Sequence, residues 1–470
     1  MGRHAALQSA PWRRVSLQEA RERLVAGQKG RPAGFGPIGP EKQAVSRFRE
    51  PIVFWVRIGR KCRERYILAG SEFSRNGRPF LPLGNQGKTM GQQGSAKPTT
   101  KPGRKRGRQL SLVDTDVHTQ PRCWDDLKPY LPAGMRQRGF PIPDTAGTGY
   151  ANPIGVLRRD AFPPRGGPPG SCYRTLRKQL LDAYDIDYAI LTGAEIVGIG
   201  TSADYYYAPV MAAAYNDWLI EGWLGEDPRL FGSLVIAPQN PAAAAREIRR
   251  LGGHPRIKQT IMTSASRIPY GNPFYHPIYE AAQECSLPVA IHPGHEGSGI
   301  SGPPTSAGYP SSYFEKHTNI SQSYMAQLVS LVSEGVFEKF PGLKFVCIEG
   351  GFGWVPHLMW RFDKNYKALR IQTPWLKRLP SETILEHVRF TSQPIEEPPR
   401  TSQLLELFEM MRADRVLMFA SDYPHWDFDS PFAAFPKVPK ELGERIFWRN
   451  AQELYGLETQ VPEVEERRNG

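Results

Sequence analysis

The sequence runs to 470 residues, 40% of them hydrophobic and 11% aromatic, enough for one large α/β domain or two ordinary ones. No run approaches the ~18 uninterrupted apolar residues of a membrane span, no secretory-type apolar segment follows Met1, and the five cysteines lie scattered without a Cys-x-x-Cys pair. Composition therefore argues against a membrane protein, an exported protein or a disulfide framework, and a reducing cytoplasm is the expected compartment.

The net charge of +13 is unevenly spread. Residues 1–110 hold 24 Lys/Arg against 6 Asp/Glu, whereas the rest hold 36 against 41. The first segment is rich in Gly, Pro, Arg and Gln, shows no sustained period and ends in Arg104-Lys105-Arg106-Gly107-Arg108. Such a chain buries too little apolar area to offset its ordering entropy. It reads as a disordered basic extension, or as upstream sequence translated from a misassigned start with Met90 the natural one. A basic cluster can hold nucleic acid, but neither interleaved aromatics nor a nucleic-acid-binding motif accompanies it, so nucleic acid is not expected as a partner.

From Ser111 onward strand-like and helix-like runs alternate. The spacing predicts strands over 111–118, 188–192, 230–237, 257–263, 288–292, 343–349, 388–391 and 415–421. Helices are predicted over 173–184, 208–223, 242–251, 277–285, 322–336, 354–369, 402–411 and 440–455, with long Gly/Pro-rich loops after the first strand and over 293–318. Residues 458–470 form a charged tail. Eight βα repeats over residues 111–457 predict a (β/α)8 barrel with its chemistry at the strand C-termini. A doubly wound open sheet is the alternative, weakened by the lack of a GxGxxG after an early strand.

Ionisable residues fall where that geometry wants them. The first strand ends in Asp114-Thr115-Asp116-Val117-His118. Alternate residues of a strand share a side, so Asp116 and His118 project together. The fifth strand ends in His292, the sixth in Glu349 and the eighth in Asp422. Carboxylates and imidazoles converging at one barrel end suit a divalent ion, with Zn²⁺ expected first and Mn²⁺ as the alternative.

With these residues in hand, the chain from about Ser111 to Leu457 resembles the amidohydrolase superfamily. Within it, the resemblance is to the branch typified by aminocarboxymuconate-semialdehyde decarboxylase. It rests on Arg229-Leu230-Phe231-Gly232, Leu287-Pro288-Val289-Ala290-Ile291-His292-Pro293, Phe340-Pro341-Gly342-Leu343-Lys344-Phe345, Gly353-Trp354-Val355-Pro356, Ser421-Asp422-Tyr423-Pro424 and Asn450-Ala451. The resemblance implies a metal-bearing barrel with His292 and Asp422 among the ligands, completed by Asp116 and His118. Two departures stand out: Asp116-x-His118 where many relatives carry His-x-His, and Glu349 where many carry a histidine. One ion is expected, since Thr260-Ile261-Met262-Thr263 lacks the strand-4 lysine that bridges two ions in binuclear members and Lys258 sits too early.

His295 and His425, each three residues past a proposed ligand, are candidates for substrate contact or for supporting the ligands. His4, His254 and His276 read as structural, His357 as a core position beside Met359 and Trp360, and Tyr205-Tyr206-Tyr207 as either pocket lining or helix packing. The leading functional expectation is a mononuclear hydrolase acting on a small, carboxylated substrate. In it Asp422 takes up the proton of a metal-activated water and Glu349 orients or deprotonates that water. The alternative is metal-dependent nonoxidative decarboxylation of an aromatic or unsaturated acid. Nucleic-acid binding through the extension and a non-catalytic barrel rank below both, and a homodimer is compatible with all of them.

Overall fold

The computed structural model describes residues 111–138 and 155–458. The basic extension, part of the first loop and nearly all of the charged tail lie outside these residues, and so does the question of where the native chain starts. The described residues fall in the unit Gln92–Gly470.

Eight parallel strands follow one another in sequence order: β1 Val113–Val117, β2 Tyr188–Leu191, β3 Leu230–Val235, β4 Ile257–Thr263, β5 Val289–His292, β6 Phe345–Cys347, β7 Val388–Thr391 and β8 Leu417–Met418. The sheet closes between β8 and β1, where Thr115 N donates to Phe419 O at 3.0 Å and His118 N to Tyr423 O at 2.7 Å. The expected (β/α)8 barrel is therefore what forms, and the open sheet is not. Both faces of each strand are covered, so β2 and β5 are continuously apolar up to their last residues, while β1 and β4 bury polar side chains among their Val and Ile residues. Helices including Tyr207–Gly222, Pro241–Leu251, His276–Glu284, Ser321–Ser333, Val355–Leu369 and Thr401–Met411 form the outer layer. Among the described residues no helix is long and apolar enough to cross a membrane.

Several boundaries differ from the expected ones. The eighth strand is two residues long, because Ala413–Val416 is helical and side chains replace the ladder beyond Met418. Ala420 N donates to Ser392 Oγ at 3.1 Å and Ser421 N to Asp114 Oδ1 at 3.0 Å. Two predicted helices widen into π-turns at Arg177–Leu181 and Arg445–Arg449. The helix of 322–336 stops at Ser333, and Gly335 turns at φ +69° before Val336–Lys339. The helix Pro380–His387 and the 3-10 segments Trp124–Tyr130 and Glu195–Thr201 carry too short a period to be recognised from sequence. The loop after β5 holds a helix as well, Tyr313–Thr318.

His357 is a correction. Helical spacing buries Leu358 and Met359 against the barrel and turns His357 and Trp360 to solvent. Of the tyrosine run, Tyr207 is packed in the core while Tyr205 and Tyr206 are exposed. Helix packing is thus the reading that holds for Tyr207 alone.

Candidate active site at the barrel mouth

β1 supplies Asp116 and, just beyond its end, His118, both fully buried. Asp116 Oδ1 accepts a 2.6 Å hydrogen bond from Thr192 Oγ1, immediately after β2. His118 Nδ1 lies against the Gly193 carbonyl. A carbonyl only accepts, so Nδ1 carries the hydrogen and Nε2 is left to face the pocket. There Nε2 lies 2.8 Å from Asp422 Oδ1 and 3.6 Å from Asp116 Oδ1. His292, the last residue of β5, is set the same way: Nδ1 is 2.8 Å from Pro293 O and Nε2 is 2.9 Å from Glu349 Oε2.

Glu349 and Asp422 sit past the ends of β6 and β8 with φ +58° each. That conformation is uncommon for a residue with a Cβ and gathers at functional sites. It is held by Glu349 N donating to Thr391 Oγ1 at 2.9 Å and Asp422 N donating to Asp116 O at 3.1 Å. His425 Nδ1 approaches Asp422 Oδ1 at 2.7 Å.

The donor set fits a metal ion on two grounds. One ligand atom from each of Asp116, His118, His292 and Glu349 lies within 4.8 Å of the others, and the same holds for His118, Glu349, Asp422 and His425. Moreover Asp116 Oδ2, His118 Nε2, His292 Nε2, Glu349 Oε2 and both Asp422 oxygens are buried without an aligned hydrogen-bond partner. Buried polar atoms are ordinarily paired, so such a convergent group of orphans marks a place where a cation belongs.

Electrostatics agree in direction. Burial disfavours the charged His118 ring, but Asp116, Asp422 and Glu349 outweigh it and lift its pKa to about 10. Burial opposes a charged His425 as well, and Asp422 again raises it. For His292 burial wins and the pKa falls. Burial and the charge of Asp422 push Glu349 well above the usual carboxylate range. Asp422 is held below that range, because His425 and His118 overcome its burial. The pocket thus carries an excess of negative charge that draws positive charge to itself.

The structure brings together Asp116, His118, His292, Glu349, Asp422 and His425. It does not bring in His295, whose Nε2 lies 3.6 Å from Glu195 Oε2 and whose ring packs where Gly198 has no Cβ. Lys258 sits over the Phe231 ring near the start of β4, away from the strand end. Sequence reasoning missed Thr192 and Thr391, which orient Asp116 and Glu349 and carry no motif of their own. It also missed Tyr313 and His317, hidden in the long loop, and Asp427, whose only signal is its place five residues past Asp422.

Comparison with known proteins bears on the same stretch. Among curated proteins, a gamma-resorcylate decarboxylase of Polaromonas sp. (strain JS666 / ATCC BAA-500) is 25% identical over 303 residues, 60% of this chain and 86% of that protein. The enzyme of that name from Rhodococcus jostii (strain RHA1) is 24% identical over 287 residues, 55% and 82% respectively. Among solved structures, a 5-carboxyvanillate decarboxylase of Novosphingobium aromaticivorans superposes with a TM-score of 0.57 at 22% identity, over 76% of this chain and 98% of that one. A 2,6-dihydroxybenzoate decarboxylase from Rhizobium does so with 0.54 at 19%, over 74% and 99%. The amidohydrolase family model matches residues 113–457, from the first residue of β1 to the end of the barrel. That span takes in all six clustered side chains, and the chain belongs to the amidohydrolase family of enzymes.

Proposed function

We propose that the chain is a metal-dependent nonoxidative decarboxylase of a hydroxylated aromatic carboxylic acid. The carrying observation is the carboxylate-rich, buried and unpaired donor set of Asp116, His118, His292, Glu349 and Asp422. The curated relatives quoted above carry the name gamma-resorcylate decarboxylase, which supports decarboxylation over the hydrolysis favoured by sequence reasoning. Asp116, His118, His292 and Asp422 are the proposed ligands of one divalent ion. An oxygen-rich set suits Mn²⁺ better than a site of imidazoles alone would. A Polaromonas dihydroxybenzoic acid decarboxylase is solved with manganese and 2-nitroresorcinol, and the Novosphingobium enzyme with manganese and a nitrobenzoic acid. Zn²⁺ is the second choice.

When bound, the ion would supply positive charge that offsets negative charge on the substrate as the reaction proceeds. The protein's own groups handle orientation and the proton. Thr192 holds Asp116, and the Gly193 and Pro293 carbonyls hold the two imidazoles with Nε2 inward. Glu349, with its carboxyl at the pocket and its backbone pinned by Thr391, is the proposed acid–base group. It delivers a proton to the ring carbon that bears the carboxylate. The carbon–carbon bond then breaks, its electron pair returns to the ring, and CO₂ leaves. Water restores the proton to Glu349.

The test is CO₂ release by the manganese-loaded full-length chain from 2,6-dihydroxybenzoate and 5-carboxyvanillate, abolished by a chelator and restored by Mn²⁺. Hydrolysis of an ester or amide panel without CO₂ from any hydroxybenzoate would instead return the site to hydrolytic chemistry.

A further inference from the structure

The loop after β5 carries chemistry that the proposed reaction does not yet use. Its short helix Tyr313–Thr318 starts at Ser312, whose Oγ accepts from Glu315 N at 3.2 Å. Helical spacing puts Tyr313, Lys316 and His317 on one face and Phe314, 82% exposed, on the other. Lys316 Nζ lies 3.2 Å from the buried Glu296 carboxylate, which ties the helix to the start of the same loop.

The inward face meets the loop after β8, one residue beyond His425. Trp426 Nε1 donates to Tyr313 Oη at 3.2 Å. The Tyr313 and His317 rings are stacked with centroids 5.4 Å apart, and His317 and Trp426 are 5.7 Å apart. His317 Nε2 sits 3.5 Å from Asp427 Oδ2, which also accepts from Gln393 Nε2 at 3.0 Å. Burial raises the Tyr313 phenol to about 12, and among the smaller influences are the charges of Asp427, Glu349 and Asp422. Trp426, which holds Tyr313, directly follows His425 of the cluster, so the phenol stands beside the clustered side chains. Tyr313 Oη accepts from Trp426 but donates to no described residue, so its own proton is available to a ligand.

Resting on the decarboxylase reading, we infer that Tyr313, His317 and Trp426 form a ring-binding wall over the cluster. The wall selects a planar aromatic acid over an aliphatic one, and Tyr313 donates its phenolic hydrogen bond to an oxygen on that ring. Three aromatic groups fixed by one hydrogen bond, one imidazole–carboxylate contact and one tethered helix offer a flat face at little ordering cost. An aliphatic carboxylate gains nothing from that face.

The experiment uses the manganese-loaded full-length chain and two probes, 2-nitroresorcinol for a ring and oxalate for a planar acid without one. Tyr313→Phe removes a single hydroxyl and should weaken 2-nitroresorcinol roughly 2–10-fold, the range of one hydrogen bond. Trp426→Leu should weaken it ~10-fold or more by removing ring contact. Oxalate affinity, manganese content and melting temperature should stay at wild-type values in Tyr313→Phe. Equal weakening of both probes, or no weakening of either, overturns the wall, as does a wild-type chain that does not bind 2-nitroresorcinol. CO₂ release from 2,6-dihydroxybenzoate is measured alongside. Ring binding that depends on Tyr313 and Trp426 without CO₂ supports the wall and overturns only the reaction. CO₂ release with ring affinity insensitive to both substitutions does the reverse.

Discussion

Thr192→Val tests whether Asp116 is a ligand positioned from behind. Thr192 is fully buried, and its Oγ1 donates at 2.6 Å to Asp116 Oδ1, leaving Oδ2 bare toward the pocket. Valine keeps the shape and deletes only the donor. A hydrogen bond to a charged group contributes about 1.5–3 kcal/mol. At ~1.4 kcal/mol per decade that is roughly 10–100-fold in metal affinity, the range seen when a group supporting a ligand is lost. Calorimetric titration of Mn²⁺ into chelator-treated wild type and variant reads this directly. Turnover at saturating Mn²⁺ should recover most of the wild-type value, because Thr192 does not contact the reacting atoms. Unchanged affinity in a variant that folds normally would refute the reasoning and remove Asp116 from the ligand set.

Glu349→Gln keeps the side-chain shape and removes its basicity, so turnover should fall ~10²–10⁴-fold with metal content near wild type. Loss of metal would make Glu349 a ligand, and unchanged turnover would end its acid–base role. Asp114 accepts from Ser421 N at 3.0 Å and from Asp116 N at 3.3 Å. Asp114→Ala should therefore cost about 1–3 kcal/mol per orphaned donor, read as a lower melting temperature, whereas Asp114→Asn keeps an acceptor and should cost much less. Away from the mouth, buried Arg229 makes 2.8–3.0 Å contacts to Asp227, and Arg229→Met should destabilise by about 3–5 kcal/mol by leaving that buried carboxylate without its counter-ion. Burial would raise the Asp227 pKa, but the Arg229 hydrogen bonds win and lower it. That stabilisation is complete above the unfolded value of about 3.9 and is lost as pH falls through the lower folded value. Wild type should therefore lose melting temperature below about pH 4 more steeply than the variant does.

Much of this was written locally in the sequence. Val289-Ala290-Ile291-His292 reads as a buried strand ending in an imidazole because parallel strands covered on both faces must be continuously apolar, and the ladder there is regular. Asp116 and His118 were legible for a different reason, the alternation that puts residues i and i+2 of a strand on one side. What the sequence hid depends on contacts between distant segments. Thr192 is one more polar residue after a strand until the fold sets it against Asp116, 76 residues earlier. The helix carrying Tyr313 is six residues long and shows no apolar stripe, since its inner face meets Trp426 and Glu296 rather than the core. His357 misled because its neighbours Leu358 and Met359 are apolar and buried, while a shift of one position turns a side chain by roughly 100° on a helix.

The seam between β8 and β1 explains why closure and chemistry cannot be separated in this barrel. β8 has two ladder residues, too few to fix a parallel pairing by backbone bonds alone. Side chains complete it: Thr115 Oγ1 bonds Phe419 O at 2.8 Å and Asp114 Oδ1 takes Ser421 N, while on the β7 side Ser392 Oγ takes Ala420 N. The next residue is Asp422, whose amide reaches Asp116 O and whose φ of +58° turns its carboxylate toward His118 and His425. Asp114, Asp116 and His118 thus divide the work of one strand. The first anchors the incoming chain, and the other two meet the carboxylate that this anchoring delivers. The proposed ligands, contributed by residues about 300 positions apart, are held to ångström tolerance because the bonds that close the sheet are the ones that place them.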